Sequence, residues 1–187
     1  MALDQETGIA QYDAPEKDLY EIGEMPPMGY VPKKMYAWAI RRDRHGEPLQ
    51  SFQQEVVDTW VVDSHEVLVL VMAAGVNYNG VWAGLGQPIS PFDVHKQDFH
   101  IAGSDCSGIV WAVGDKVKNW KVGDEVVVHC NQDDGDDEEC NGGDPMYSPT
   151  QRIWGYETGD GSSERSGLGR VGRIGILCDP AGEHSRR

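Results

Sequence analysis

Between Ala102 and Val128 the chain reads AGSDCSGIVWAVGDKVKNWKVGDEVVV, and no other stretch limits the fold as tightly. Two apolar runs, Gly108–Val113 and Val126–Val128, are punctuated by Gly114-Asp115 and Gly123-Asp124. Glycine accepts a positive φ and aspartate can bond its own backbone, so a Gly-Asp step between β-rich runs predicts a tight turn. The segment is therefore read as paired strands folded back on themselves.

The rest of the chain is read around that hairpin region. Met35–Ile40 and Val56–Val62 have the composition of strands, with a charged turn at Arg41–Pro48. Val67–Ala74 is eight consecutive apolar residues, too short to span a membrane and suited to a fully buried strand. Asn77–Leu85 predicts a short helix closed by Gly84 and Gly86, and Pro88–His100 a loop. Residues 1–33 form a polar arm with Pro26-Pro27 that packs on the body.

Charge and cysteine usage narrow the function classes. The formal charge of −15 is opposite to the basic footprint that nucleic acid or an anionic membrane requires, so neither is expected as a partner. No run of 18 apolar residues exists, and the first thirty residues lack a secretory pattern. Cys106, Cys130, Cys140 and Cys178 are far apart, which favours free thiols and a cytoplasmic protein.

Two later stretches invite ligand-binding readings that their spacing does not support. Asn131–Asp144 is rich in Asp and Glu but lacks the placement of glycine and the final glutamate that a calcium-binding EF-hand needs, and reads as a solvated acidic loop. Near Ser162 the composition breaks: 11 basic and 28 acidic residues precede it, whereas five arginines, no lysine and three acids follow. That tail holds Gly167-Leu168-Gly169-Arg170-Val171-Gly172, formally G-x-G-x-x-G. The fingerprint has meaning only between a strand and a helix of a βαβ unit, and neither is predicted there.

The order Gly103, Asp105, Gly108, then Val110 with Val113-Gly114, then Gly123-Asp124 with Val126, resembles the barrel signature of the medium-chain dehydrogenase/reductase superfamily. Zinc-dependent members present a cysteine in G-x-C-x-x-D and a histidine in G-H-E. This chain has Gly75-Val76-Asn77-Tyr78-Asn79 and Gly103-Ser104-Asp105 there. Asn and Ser are poor zinc ligands, and Cys130 and Cys140 cannot supply a four-cysteine lobe, so no metal is expected.

Within the zinc-free branch, the stretches MYAWAIRRDRHGEP, VMAAGVNYNGVWAGLGQPISPFDVHK, HIAGSDCSGIVWAVG, VVHCNQDDGDDEECNGGDPM and SPTQRIWGYETGDGS resemble the crotonyl-CoA carboxylase/reductase family over residues 34–161. The resemblance implies NADPH as cofactor, an acyl-CoA and CO2 as substrates, and conversion of crotonyl-CoA to ethylmalonyl-CoA. By the same resemblance Asn79, Tyr156 and Glu157 belong to the CO2 site, with Asn79 donating to a CO2 oxygen, Glu157 ordering the site and Tyr156 bordering it. Bland roles stand beside these. Asn77 and Asn79 could cap the short helix, Glu157 could be a surface carboxylate, and Trp154, Tyr156, Trp82, Trp111 and Trp120 could serve packing. Arg41, Arg42 and Arg44 could meet a CoA phosphate or form a solvated strand end.

The expected architecture is mainly β with short helices. It comprises an arm at 1–33, an incomplete GroES-like catalytic barrel at 34–161 and a tail at 162–187 that departs from the family. The resemblance places the nucleotide-binding domain beyond the departure point, so the chain is expected to lack it. A frameshifted or disordered tail and a part inactive alone follow from that reading. A quinone or enoyl-CoA reductase relative without carboxylation, and a non-enzymatic barrel acting as an interaction module or homo-oligomer, remain open. An unfinished barrel is expected to leave Val67–Ala74 incompletely covered.

Overall fold

The computed structural model describes residues 14–95, 97–101, 103–132, 137–149, 151–153 and 174–178. In chain order the elements are β1 (Lys34–Ile40), α1 (Pro48–Ser51), β2 (Gln53–Asp58), β3 (Val67–Ala74), α2 (Tyr78–Leu85), α3 (Pro91–Val94), β4 (His100–Ile101), β5 (Cys106–Val113), β6 (Glu125–Val128), β7 (Asn131–Gln132), α4 (Glu138–Gly142), β8 (Arg152–Ile153) and β9 (Ile174–Cys178). They make a mainly β fold with short helices. No closed barrel is present among the described residues; the strands form three sheets, β2-β1-β4, β6-β5-β3-β9 and β7-β8.

Alternation explains the first sheet. In β1, Met35, Ala37 and Ala39 are buried while Lys34 and Trp38 face outward, the period-2 signature of a half-buried strand. Met35, Ala37, Val57, Leu68, Leu70, Ile101 and Trp111 form one core cluster, so β1, β2, β3, β4 and β5 share an interior. The arm joins it: Met25, Met28 and Val31 pack against that cluster, and the Trp111 indole N–H donates to the Tyr30 carbonyl at 2.8 Å.

The apolar run Val67–Ala74 is strand β3 from end to end, and its residues Val67–Val71 are buried. It pairs antiparallel with β5 on one edge and parallel with β9 on the other. The tail that reads as strandless thus contributes β9, and β3 is covered on both edges over Val67–Val71. The five-residue run Ile-Gly-Ile-Leu-Cys is short enough to be overlooked between Arg- and Gly-rich flanks, and only pairing with β3 fixes it as a strand.

Three other boundaries differ from expectation. The second strand lies at Gln53–Asp58, earlier than Val56–Val62, because its ladder partner β1 pairs Gln53 through Asp58 regardless of their polarity. Pro88–His100 is not wholly loop: Ser90 caps α3 by accepting from the Phe92 N–H, Pro91 occupies its first turn, and His100 begins β4. In the acidic stretch, Asp137 caps α4 by accepting from the Cys140 N–H, while residues 133–136 are outside the described set. The two Gly-Asp turns also differ in kind. Gly123 has φ +95°, but Gly114 is required for space, since a Cβ there would lie 2.1 Å from the Asp63 carbonyl oxygen.

Candidate functional site

Strand β3 delivers the chain directly to Gly75–Asn79, and β5 begins just after Ser104-Asp105, so the β3–β5 pairing brings these two loops together. The Gly75 N–H donates to the Asp105 carbonyl at 3.1 Å. A Cβ on Gly75 would stand 2.9 Å from the Asp105 Cβ, so the approach requires glycine.

Asn77 ties the two loops and starts α2. Its side-chain oxygen accepts from the Asn79 N–H at 2.9 Å, the N-cap role. Its amide nitrogen donates to the Ser104 hydroxyl at 3.0 Å and to the Asp105 carboxylate. All three amide hydrogen-bonding contacts are spent on structure. Ser104 is buried, and Asp105 is the one charged group of this cluster.

Asn79 is different. It lies in the first turn of α2, its side chain is exposed, and among the described residues its side-chain amide has no hydrogen-bond partner. The capping role therefore belongs to Asn77, and Asn79, one turn position on, keeps a donor and an acceptor without a partner among the described residues. Its chain neighbours are apolar and exposed: Val76 is fully exposed, and Tyr78, 68% exposed, meets Trp82 edge to face at 5.6 Å. Tyr156 and Glu157 lie outside the described residues, as do Trp154 and the G-x-G-x-x-G of residues 167–172. Of the three expected CO2-site residues the structure thus positions Asn79.

The neighbouring thiol is held in its protonated form. Burial, with the Asp105 charge adding to it, pushes the Cys106 thiol up to about 11, so it stays protonated at neutral pH. Among the described residues no three His, Cys, Asp or Glu side chains are grouped to hold a metal ion.

The arginine knot resolves into ion pairs. Arg41 and Arg44 both donate to Glu55, and Arg42 pairs with Asp93 at 3.1 Å. Trp111 is the packing residue it was expected to be, with no exposure, whereas Trp82 and Trp120 are about half-exposed. The sequence reading missed a histidine cluster at the other end of α2. The Gly84 carbonyl can only accept, so the His45 Nδ1–H donates to it at 3.2 Å and His45 Nε2 accepts from the Ser90 hydroxyl at 2.8 Å. Below it, His95 Nε2 and His100 Nδ1 share a hydrogen bond of 3.0 Å, with Phe92 set edge-on to both rings. Its one sequence signal is the spacing of His95 and His100 around a loop.

The fold, the paired loops and the Asn and Ser at the two loop positions now stand together. The alcohol dehydrogenase GroES-like domain profile matches residues 63–170. The chain belongs to that family. This GroES-like chain is 82% identical over 162 residues to the crotonyl-CoA carboxylase/reductase of Cereibacter sphaeroides, covering 87% of its own length and 38% of the relative's. A solved crotonyl-CoA carboxylase/reductase superposes with a TM-score of 0.74 at 80% identity, covering 78% of this chain and 34% of that one. The 2-octenoyl-CoA carboxylase reductase CinF, solved in complex with NADP and 2-octenoyl-CoA, gives 0.62 at 33% identity over 70% of this chain and 34% of its own. The resemblance drawn from the VNYN and IWGYET stretches is the one these relatives return. The GroES-like chain spans little more than a third of their length.

Proposed function

We propose that this chain is the CO2-facing portion of an NADPH-dependent reductive carboxylase that converts crotonyl-CoA and CO2 to ethylmalonyl-CoA in the cytoplasm, and that it is inactive alone. The observation that carries the reading is Asn79: an amide without a partner among the described residues, beside two loops that Asn77 ties together. CO2 is linear and weakly polar, and gains negative charge on its oxygens only as an enolate carbon attacks it. A fixed amide donor stabilises charge at that moment without reorganising. Water competes by protonating the enolate, which would give plain reduction, and Val76, Tyr78 and Trp82 offer apolar surface against which the site can be dried.

We place NADPH away from the Asn77 loops and the arginine knot. Asp105 is the one charged group of the Asn77 cluster, while Lys33, Lys34, Arg41, Arg42 and Arg44 are engaged with carboxylates. No step of the reaction is therefore assigned to a cofactor on this surface. CinF was solved with NADP and an enoyl-CoA in a chain of which this one matches 34%, which supports placing both ligands largely outside these residues.

The test is a chimera in which this chain's residues 1–153 precede the remaining sequence of the Cereibacter sphaeroides relative. With crotonyl-CoA, NADPH and bicarbonate, Asn79→Ala should lower the ratio of carboxylated to simply reduced product by about a hundredfold, the cost of one such donor. An unchanged ratio would remove Asn79 from the site. Calorimetry of the chain alone should show no heat with NADPH, and tight binding would contradict inactivity for want of a cofactor site.

A further inference from the structure

The side-chain amide of Asn77 has two ends of nearly equal size, and chemistry alone decides which way round it sits. One end faces the Asn79 N–H, which can only donate; the other faces the Asp105 carboxylate, which when ionised can only accept. The Ser104 hydroxyl, at 3.0 Å, does either and so decides nothing. With nitrogen toward Asp105 and oxygen toward Asn79, every contact is a hydrogen bond. Turned over, the amide would set oxygen against a carboxylate and nitrogen against an N–H. Asp105 and the helix terminus therefore enforce one orientation between them.

Asp105 is the fixed member of this arrangement. It directly precedes β5, whose first residue, Cys106, pairs with Ala74 at the end of β3. Its carbonyl accepts from the Gly75 N–H at 3.1 Å, and its Cβ lies too close to Gly75 for a larger residue to stand there. Asn77 is held to that reference, and the first turn of α2, with Asn79 in it, is held to Asn77. We infer that Asp105 is a positioning residue for the reaction: its carboxylate selects the Asn77 amide orientation that caps α2, and so sets where Asn79 presents its own amide. The inference rests on the assignment of Asn79 to the CO2 site, and it asks for no contact between Asp105 and the reacting atoms.

A reciprocal exchange tests it. Aspartate caps a helix as well as asparagine does, so Asn77→Asp is harmless if residue 77 serves α2 alone. Under the positioning role the same change sets two carboxylates against each other. In urea denaturation of the full chain, Asn77→Asp should lower the midpoint by about 0.5 M. Adding Asp105→Asn should recover most of that loss, because an amide at 105 can donate to a carboxylate at 77. An unaltered midpoint for Asn77→Asp overturns the inference, and so does a double variant no more stable than that single one. If Asn77→Asp does not fold at all, a double variant that melts cooperatively supports the inference and one that does not overturns it.

The chimera with the Cereibacter sphaeroides sequence supplies the functional arm. Asn77→Asp should lower the ratio of carboxylated to simply reduced product by about tenfold, and the exchanged pair should return it to within about threefold of the unaltered chimera. A purely structural role would reduce the amount of folded enzyme and leave that ratio where it was. If Asn79→Ala lowers the ratio and Asn77→Asp does not, Asp105 loses its positioning role while the CO2-site assignment stands. If Asn79→Ala leaves the ratio unchanged, the assignment falls and takes the positioning role with it.

Discussion

The two ends of helix α2 are chemically similar and structurally opposite. Each is surrounded by small polar side chains, with Asn77, Asn79, Ser104 and Asp105 at the N-terminal end and His45, Ser51 and Ser90 at the C-terminal end. At the C-terminal end Ala83, Gly84, Ser51 and Ser90 are buried. The Gly84 carbonyl accepts from both His45 and the Gly46 N–H, and Gly86 closes the helix in the left-handed conformation. At the N-terminal end Val76, Tyr78 and Asn79 are exposed, and one amide has no partner among the described residues. The closed end has spent its hydrogen-bonding capacity on holding α1, α2 and α3 together. The open end has kept some in reserve, and a reserve of that kind is what a ligand can use.

The sharpest way to break this contrast is at the closed end. His100→Ala removes a fully buried ring and leaves His95 without the hydrogen bond it shares with that ring. A cavity together with a lost buried hydrogen bond should cost about 3 kcal/mol in urea denaturation. A loss below about 1 kcal/mol would mean that the cluster is not structural.

Glu55 tests the same side of the molecule through pH. The Arg41 hydrogen bond, supported by Arg44 and opposed by burial, holds its carboxyl below the usual carboxylate range. A lowered folded-state value means that the ionised group stabilises the fold above the unfolded-state value, and that this stability is lost as pH falls through the folded-state value. Glu55→Gln should therefore cost about 1–2 kcal/mol at neutral pH, and the difference should shrink as the solution is acidified below about pH 4. A difference that stays constant across that window would refute the ion-pair account.

At the open end the expected effects on stability are smaller and unequal. Asn77→Ala loses the cap and the link to Ser104 and should cost about 1 kcal/mol. Asn79→Ala removes an exposed side chain without partners among the described residues and should change stability by less than about 0.5 kcal/mol. Equal costs for the two asparagines would erase the distinction between the residue that builds the site and the residue that serves it.

Why the sequence revealed one asparagine's role and not the other's is a matter of range. An Asn before a short helix is a local signal, and so are the eight apolar residues of β3, whose limits match expectation residue for residue. The glycine that closes α2, Gly86, is equally local, whereas Gly84, expected to share that role, lies within the helix. The contact of Asn77 with Asp105 spans 28 residues and depends on the β3–β5 register, which no local pattern encodes. The same holds for β4, two residues that are a strand only because β1 pairs with them, and for β9, whose partner lies more than a hundred residues earlier. β2 was misplaced because Gln53, Gln54 and Glu55 are polar residues on an edge strand, where half the side chains face water.

The hydrogen bond from Trp111 to Tyr30 has a practical consequence. Trp38, Trp82 and Trp120 are each about half-exposed, whereas Trp111 is fully enclosed with its indole N–H engaged by the arm. Its emission should therefore lie at shorter wavelength than theirs and, beside that of the partly buried Trp60, report whether residues 14–33 are in place. Lifting the arm would unroof the ring and shift that emission to the red while the strands beneath keep their far-ultraviolet signal. The arm is thus the part of this molecule whose attachment can be followed in real time without a label.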